Sequence, residues 1–597
     1  MKKILEEIKS QLISYMYIIK LLRKINNPLI IFQIIYGIMS TLYFTVNIYF
    51  PKLIVDEITT THNYEKVIFI IFIMVTSTMV VKTFTMLFEV YQSNNFCKSR
   101  DLLKVEIAKK KMTTDFKNTE DPNHLDIQEK AMYAATQFPQ LSFNIFSKLI
   151  GSVLKIILSL YFLASLNLIM FLIILLNVLV SHKINKKASR ILYNWDMKKS
   201  KDRRGQAYLF DLISDFKTGK TIRVYNIQNH ILQKFGVFNK NIYDIEKEKE
   251  NFSRKTSNKL QMFDVLQIAV VYTYLAYQYA KGAVTIGDFI IVLNATTQFM
   301  IALKDLTSVF VDFDKSALFV NDYNRFILYE DVAKASDNDE RIAIPNKINT
   351  IEFKNVNFAY PNQKRFAVFN LNLKINSNNK VMLVGENGSG KTTFVKLLLR
   401  LYDVSEGEIL INGINIKKFD YWEYMKLFSA VFQDYKIFAY TVKENICFDN
   451  EPENINDILK ILDKMVVLNK IETLENGIDT HADKAFVTDG TTFSGGEMQK
   501  LVLCRSLYKN GQIHVLDEPT SSLDPISEYK IYKNYNNEMI NKTVIYISHR
   551  MSISHLCNQI IVFDNGKVKE QGSHSNLLER DGIYAEMYKK QASLYTD

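Results

Sequence analysis

The sequence predicts a membrane protein in two parts: an N-terminal α-helical transmembrane domain of six helices, then a C-terminal α/β domain built around a phosphate loop. Three observations carry this prediction. The 597 residues exceed what a single core accommodates. Long apolar runs such as FLIILLNVLV are confined to the part before Lys304. Beyond Asn349, strand and helix patterns alternate around two glycine-rich turns.

Residues 1–27 place Ile4, Ile8, Leu12 and Ile13 at near-helical spacing between lysines and glutamates. They lack the apolar core and cleavage site of a secretory signal, so they read as an amphipathic helix on the inner leaflet. A bilayer core about 30 Å thick needs roughly 20 apolar residues per helix. The candidate spans are 28–50, 67–90, 142–164, 166–180, 262–279 and 286–303, within a transmembrane domain of 28–328. The connections at 51–66, 165 and 280–285 are short, whereas 91–141 and 181–261 are long, charged and helix-patterned. The long pair reads as helices projecting into the cytoplasm. At one tip, in NTEDPNHLDIQEKA, Asp121 is the expected N-cap and Pro122 the first helical residue. At the other, YLFDLISDFKTGKTIRVY reads as a short amphipathic helix broken at Gly219. Residues 329–348 are polar, aperiodic and contain Pro345, a linker to the domain at 349–597.

The net charge of +11 sits largely in segments flanking apolar runs, such as KINKKASR and KKSKDRRG, where it sets topology with the N-terminus and the second domain inside. No basic, aromatic-interleaved patch appears, which speaks against nucleic acid as a partner. Cys97, Cys447, Cys504 and Cys557 show no C-x-x-C spacing. That argues against a zinc site or disulfide framework, fits a reducing compartment and leaves them as small buried hydrophobes.

GENGSGKTT, from Gly385 to Thr393, matches G-x-x-x-x-G-K-[ST] between a strand pattern and a helix pattern. Gly385, Asn387, Gly388, Ser389, Gly390 and Thr393 belong to a loop whose backbone N–H groups close around phosphates. Lys391 reaches the terminal phosphates and Thr392 offers a hydroxyl to Mg²⁺. In GQIHVLDEPTSSLD, Asp517 and Glu518 end a buried strand, where paired carboxylates need a cation. Asp517 would hold Mg²⁺ and Glu518 would face a water attacking the γ-phosphate. Gln433, His549 and Tyr360 are weak signals singly; their order is what counts. Ser494, Gly495 and Gly496 open a second helix and form another anion-binding turn.

These motifs, in this order, resemble the nucleotide-binding domain of an ATP-binding-cassette (ABC) transporter, and the whole chain resembles a type IV ABC exporter half-transporter. The resemblance implies ATP and Mg²⁺ as ligands. It makes Tyr360 the adenine-stacking aromatic, Gly385–Thr392 Walker A, Gln433 the Q-loop residue and a magnesium contact, Phe493–Glu497 the signature, Asp517 and Glu518 Walker B and its catalytic acid, Asp524 the D-loop and His549 the switch histidine. VTIGDF is similar to the entry to the sixth membrane helix. It also implies why one chain has two phosphate turns: the signature of one subunit closes on nucleotide held by the Walker A loop of a second. A homodimer is the simplest assembly, a heterodimer the other. Glu497 departs from the usual signature glutamine; an acid there would weaken a ribose contact or add repulsion, but Ser494 and Gly496, the phosphate-facing positions, are intact, so the resemblance implies a working site. Coupling helices are expected near 120–128 and 211–223.

The pattern around VFQDYKIF, FSGGEMQKL and LDPISEYKIY resembles bacterial peptide and bacteriocin exporters, which implies a peptide or other amphipathic cargo crossing a bacterial cell membrane. Only about 27 residues precede the first predicted span, too few for a protease domain that would cut a leader. A lipid or drug exporter or flippase is the rival reading. An ATP-gated channel or regulatory ATPase would predict a broken site, against intact Glu518 and His549. A soluble ATPase would predict no spans. YTYLAYQYA and Asn294, Thr297 and Gln298 are candidates to line a cargo cavity. Lys155, inside a predicted span, would either meet an acidic cargo group or pair internally.

Overall fold

A computed structural model describes residues 29–163, 168–282, 285–331, 342–361, 363–448, 454–485, 487–520 and 522–593. The expected amphipathic helix at 1–27, the turn at 165 and most of the linker lie outside these. The chain divides into two units: one comprises Met1–Thr114 and Glu120–Tyr329, the other Asp115–Thr119 and Glu330–Asp597.

The first unit is helical. Its elements are α1 (Leu29–Asp56), α2 (Tyr64–Thr113), α4 (Pro122–Phe162), α5 (Leu168–Lys198), α6 (Ser200–Ser214), α7 (Phe216–Val224), α8 (Gln228–Ala280) and α9 (Ile286–Ile327); α3 (Phe116–Thr119) belongs to the second unit. Among the described residues, five helices are long and apolar enough to cross a membrane: α1, α2, α4, α8 and α9. The predicted span at 166–180 falls on α5, whose apolar stretch gives way to His182 and Lys183 and begins among residues not described. At 1.5 Å per residue, the 50 residues of α2 and the 53 of α8 run about 75–80 Å, more than twice a hydrocarbon core. Burial is inverted relative to a soluble bundle: Phe69, Met79 and Leu87 face outward, while Ser99, Ser152 and Ser159 are buried. Small residues let helices approach. A Cβ at Gly37 would lie 2.6 Å from Ile150 Cγ2 and 3.2 Å from the backbone N of Gly151.

Asp121 caps α4 as expected, accepting from Asn123 N at 3.0 Å, with Pro122 in the first turn. The expected break at Gly219 is corrected: Gly219 lies inside α7, and the chain breaks at Asp215, whose backbone is extended. There the Thr218 hydroxyl donates to the Asp215 carbonyl at 2.8 Å, a local bond that competes with helix continuation. A mid-helix glycine costs only about 1 kcal/mol, which the flanking helical residues absorb.

The second unit holds two sheets. An antiparallel sheet has the order β2-β1-β4-β5, from β1 (Thr350–Phe358), β2 (Val368–Asn376), β4 (Glu406–Ile411) and β5 (Ile414–Asn415). The other has the order β10-β9-β3-β8-β7-β6, from β3 (Lys380–Gly385), β6 (Phe428–Val431), β7 (Ile513–Asp517), β8 (Thr543–Ile547), β9 (Gln559–Asp564) and β10 (Lys567–Gly572). It is parallel from β9 to β6, with β10 antiparallel. Both of its faces are covered, which is why its strands are near-continuous apolar runs. Side-chain alternation sends Met382, Val384, Leu516 and Tyr546 into one core and Val381, Leu383, Val515 and Ile547 into the other. Three helices matter for the site: α10 (Lys391–Leu398), α11 (Gly495–Lys509) and α12 (Pro525–Glu538). The cysteines are all free; Cys504 and Cys557 are buried, but Cys97 and Cys447 only partly so. The expectation of four buried thiols is corrected to two.

Candidate active site

β3 and β7 end beside each other's neighbour β8, so the loops leaving their C-terminal ends converge on one place. In open parallel sheets that crevice is where ligands bind. A cavity of about 330 Å³ lies there, lined by Tyr360, Asn387, Gly388, Ser389, Gly390, Lys391, Thr392, Thr393, Gln433, Asp517, Glu518 and His549.

The phosphate loop takes its shape from backbone that other residues resist. Gly388 has φ +77° and Gly390 φ +109°, and a Cβ on Gly390 would sit 3.1 Å from the Ala367 carbonyl oxygen. Lys391 Nζ donates to the carbonyls of Gly385 at 2.8 Å and Glu386 at 2.9 Å. Burial pushes its ammonium below the ordinary range, opposed by Glu518 and Asp517. Tyr360 reaches the Thr393 hydroxyl at 3.1 Å, and its ring packs edge-on to Phe358 and Tyr402.

Glu518 is held from both sides. Gln433 Nε2 donates to its Oε2 at 3.0 Å, and His549 Nε2 is 3.2 Å from its Oε1. Its backbone has φ +47°, which costs a non-glycine residue about 1 kcal/mol or more, and its N–H is fixed to the Ile547 carbonyl at 2.9 Å. His549 is pushed below the usual imidazole range by burial and by Lys391, against Glu518. Asp517 is 4 % exposed. Burial, with Glu518 adjacent, raises it to about 6, Lys391 opposing. A buried carboxyl beside a half-buried one, facing one lysine, lacks positive charge, and Thr392 and Gln433 line the same cavity. This donor set fits a small hard cation.

Ser494, Gly495, Gly496 and Asp524 are not among the residues lining this cavity. Ser494 caps α11 and Asp524 caps α12, accepting from Ile526 N and Ser527 N. Within one chain the turn at Ser494–Gly496 and the loop at Gly385–Thr393 do not line one cavity.

Residues 368–521 match the family described as "ABC transporter". The chain is 27% identical to the subtilin transport ATP-binding protein SpaT of Bacillus subtilis, over 98% of this chain and 95% of that protein. The chain belongs to the ABC exporters. The exporter is also 32% identical to the ATP-dependent lipid A-core flippase of Haemophilus influenzae, over 55% of this chain and 54% of that one. Its fold is that of a bacterial Atm1-family ABC exporter solved with ATP bound, with a TM-score of 0.82, 22% identity, and coverage of 96% and 98% of the two chains. It is thus an ATP-hydrolysing transporter and a multi-pass membrane protein with membrane and ATPase domains fused.

Two features of the exporter's site escaped the sequence. Glu497 Oε2 accepts from Ser494 N at 2.8 Å while Ser494 Oγ accepts from Glu497 N at 3.3 Å. This capping box pins the signature turn, and the S-x-x-E spacing could have announced it. Gln591, on the helix Ile583–Ser593, brackets the turn after β8: its Nε2 donates to the His549 carbonyl and its Oε1 accepts from Met551 N at 2.9 Å. No local pattern marks a residue 42 positions downstream. Gln591→Ala is expected to lower kcat roughly tenfold with KM for ATP within about twofold, because His549 loses its register while the phosphate loop is untouched. Equal loss in kcat and ATP affinity would show a general defect instead.

Proposed function

We propose that the exporter works as a homodimer in a bacterial plasma membrane, with its ATPase domains cytoplasmic, and drives a peptide outward by alternating access. The observation that carries the cargo is the end-to-end similarity to a subtilin transport protein, against a match of about half the chain with the lipid A-core flippase. Lipid export is the second reading.

Each composite site would join Tyr360 and the loop Gly385–Thr393 of one chain to Ser494, Gly495, Gly496 and Asp524 of the other. The separation of the signature turn from the phosphate-loop cavity within one chain supports this. Thr392, Gln433 and Asp517 would hold Mg²⁺, which when bound supplies positive charge to the β- and γ-phosphates. Lys391 leaves its backbone carbonyls for the terminal phosphates. Glu518 takes a proton from the attacking water on its carboxylate, and His549 Nε2 and Gln433 orient that water and the acid. Bound ATP stabilises the closed dimer and hydrolysis releases it. Residues 120–128 and 211–223 would carry closure to the membrane helices.

The test is ATP hydrolysis by the purified chain in proteoliposomes, titrated with peptides and, separately, with lipids. Saturable stimulation by peptide is expected, and stimulation by lipid alone would replace the peptide reading with a flippase. In the same assay Leu125→Pro, which deletes the 3.0 Å bond from Leu125 N to the Asp121 carbonyl, should keep hydrolysis but lose stimulation. Wild-type stimulation in that variant would refute the coupling role.

A further inference from the structure

Between β6 and the helix Val442–Cys447, residues 432–440 form neither helix nor strand. Gln433 lies near the start of this loop, and its amide donates to Glu518. Backbone outside a ladder must find its hydrogen bonds elsewhere, and here side chains supply them. Asn445, 1 % exposed, accepts from Phe438 N at 3.0 Å and donates to the Phe438 carbonyl at 2.9 Å. Arg505, further along α11, donates to the Lys436 carbonyl at 3.2 Å and to the Asn445 carbonyl at 2.8 Å. The far half of the loop is thereby fastened to the helix that the turn at Ser494–Gly496 opens.

Tyr435 stands between these anchors and Gln433. Its hydroxyl donates to the carbonyl of Gly495, the first residue of α11, at 3.2 Å. Its half-buried ring packs against the core that takes Met382 and Leu516. Gly495 does not move alone. A Cβ on Gly496 would lie 2.9 Å from Leu523 Cδ2, and Gln499 Oε1 accepts from Ser522 N at 3.0 Å, so the turn and the segment leading to Asp524 form one block. Two residues span at most about 7 Å of chain, and a tyrosine ring has only two side-chain torsions to relax. A displacement of Gln433 is therefore passed to Gly495 with little slack.

We propose that Tyr435 is a positioning residue that reports the state of this chain's own nucleotide cavity to its signature turn, and so sets how well that turn receives the nucleotide held by a second copy. When Gln433 turns from Glu518 toward the cation it would hold, the Tyr435 hydroxyl shifts the Gly495 carbonyl and with it the block that carries Ser494 and Asp524. Loading one site raises the affinity of the other, and linkage makes the effect mutual. The inference rests on the homodimer reading above and adds the side chain through which its two sites answer to each other.

The experiment measures equilibrium binding of radiolabelled ATP, with Mg²⁺, to the full chain in phosphatidylcholine nanodiscs, with Glu518→Gln in every sample to stop turnover. The parent is expected to bind with a Hill coefficient above about 1.5. Adding Tyr435→Phe, which keeps the ring and removes the hydroxyl, should bring the coefficient to about 1 and raise half-saturating ATP about two- to tenfold, the worth of one hydrogen bond. A tyrosine that only supported the loop would lower affinity and leave the coefficient where it was, and that result would overturn the proposal. Tyr440→Phe, at an exposed ring of the same loop, should match the parent. Ser494→Ala in the same background tests the shared site separately. If it weakens binding while Tyr435→Phe binds as the parent does, or if the parent itself binds without cooperativity, the inference falls and the homodimer stands. If Ser494→Ala also binds as the parent does, the shared site and the inference fall together.

Discussion

Glu518→Gln should reduce ATP hydrolysis by about 10²–10⁴-fold, the range that a positioned general base contributes, while ATP affinity stays within a few-fold. The side chain keeps its size, and an amide oxygen still accepts from Gln433, so the cavity should keep its shape. What disappears is the carboxylate that can take a proton. The strained backbone at φ +47° and the bond to the Ile547 carbonyl hold residue 518 where Gln433 and His549 meet it, and the substitution leaves that geometry alone. Initial rates, with nucleotide binding measured in parallel, check this. More than about a tenth of wild-type activity in the variant would move the proton acceptor elsewhere, with His549 the next group to test.

The second large effect concerns stability. Asp196, near the C-terminal end of α5, accepts from Lys199 and Lys249 at 2.9 Å each, and Lys199 also reaches Glu246 of α8 at 2.9 Å. The Lys199 side chain is 3% exposed and that of Asp196 6%. Removing one partner of a buried pair strands the other charge, so Asp196→Ala should cost about 3 kcal/mol, the lower end for such breaks because Glu246 remains. Glu246→Ala, at the exposed end, should cost well under about 1 kcal/mol. Unfolding of the detergent-purified chain compares the two. Equal shifts would mean the network acts only as a surface pair. Burial raises the Asp196 carboxyl, but hydrogen bonds from Lys199 and Lys249 outweigh it and leave it below the ordinary range. Its contribution is thus fully present above the usual aspartate pKa of about 4 and lost as pH falls through the lower folded value. Near neutrality this network should be insensitive to pH.

How far the sequence could be read depended on how local the relevant physics is. The phosphate loop, the carboxylates at the end of β7 and the cap at Asp121 were legible because each is fixed by a few consecutive residues at the end of a strand or the start of a helix. The break between α6 and α7 was misplaced because glycine's modest helix penalty lost to a hydroxyl bond from Thr218 to the Asp215 carbonyl. Glu497 was read as a departure near nucleotide, while its capping bond to Ser494 N lay unread in an ordinary S-x-x-E pattern. The span at 166–180, drawn from hydropathy, coincides with α5 from Leu168 onward, and the residues just before it lie outside the described ones.

By itself the sequence determined the class of the chain, the order of its two parts and the places of its glycine loop and paired carboxylates at strand ends, because spacing along the chain dictates backbone geometry over short distances. Only the tertiary structure decided which of these side chains meet: that Gln433 and His549 converge on Glu518, and that Gln591 brackets the turn after His549. Those encounters join residues tens of positions apart, and such meetings are set by the packing of sheet and helices, not by any local pattern.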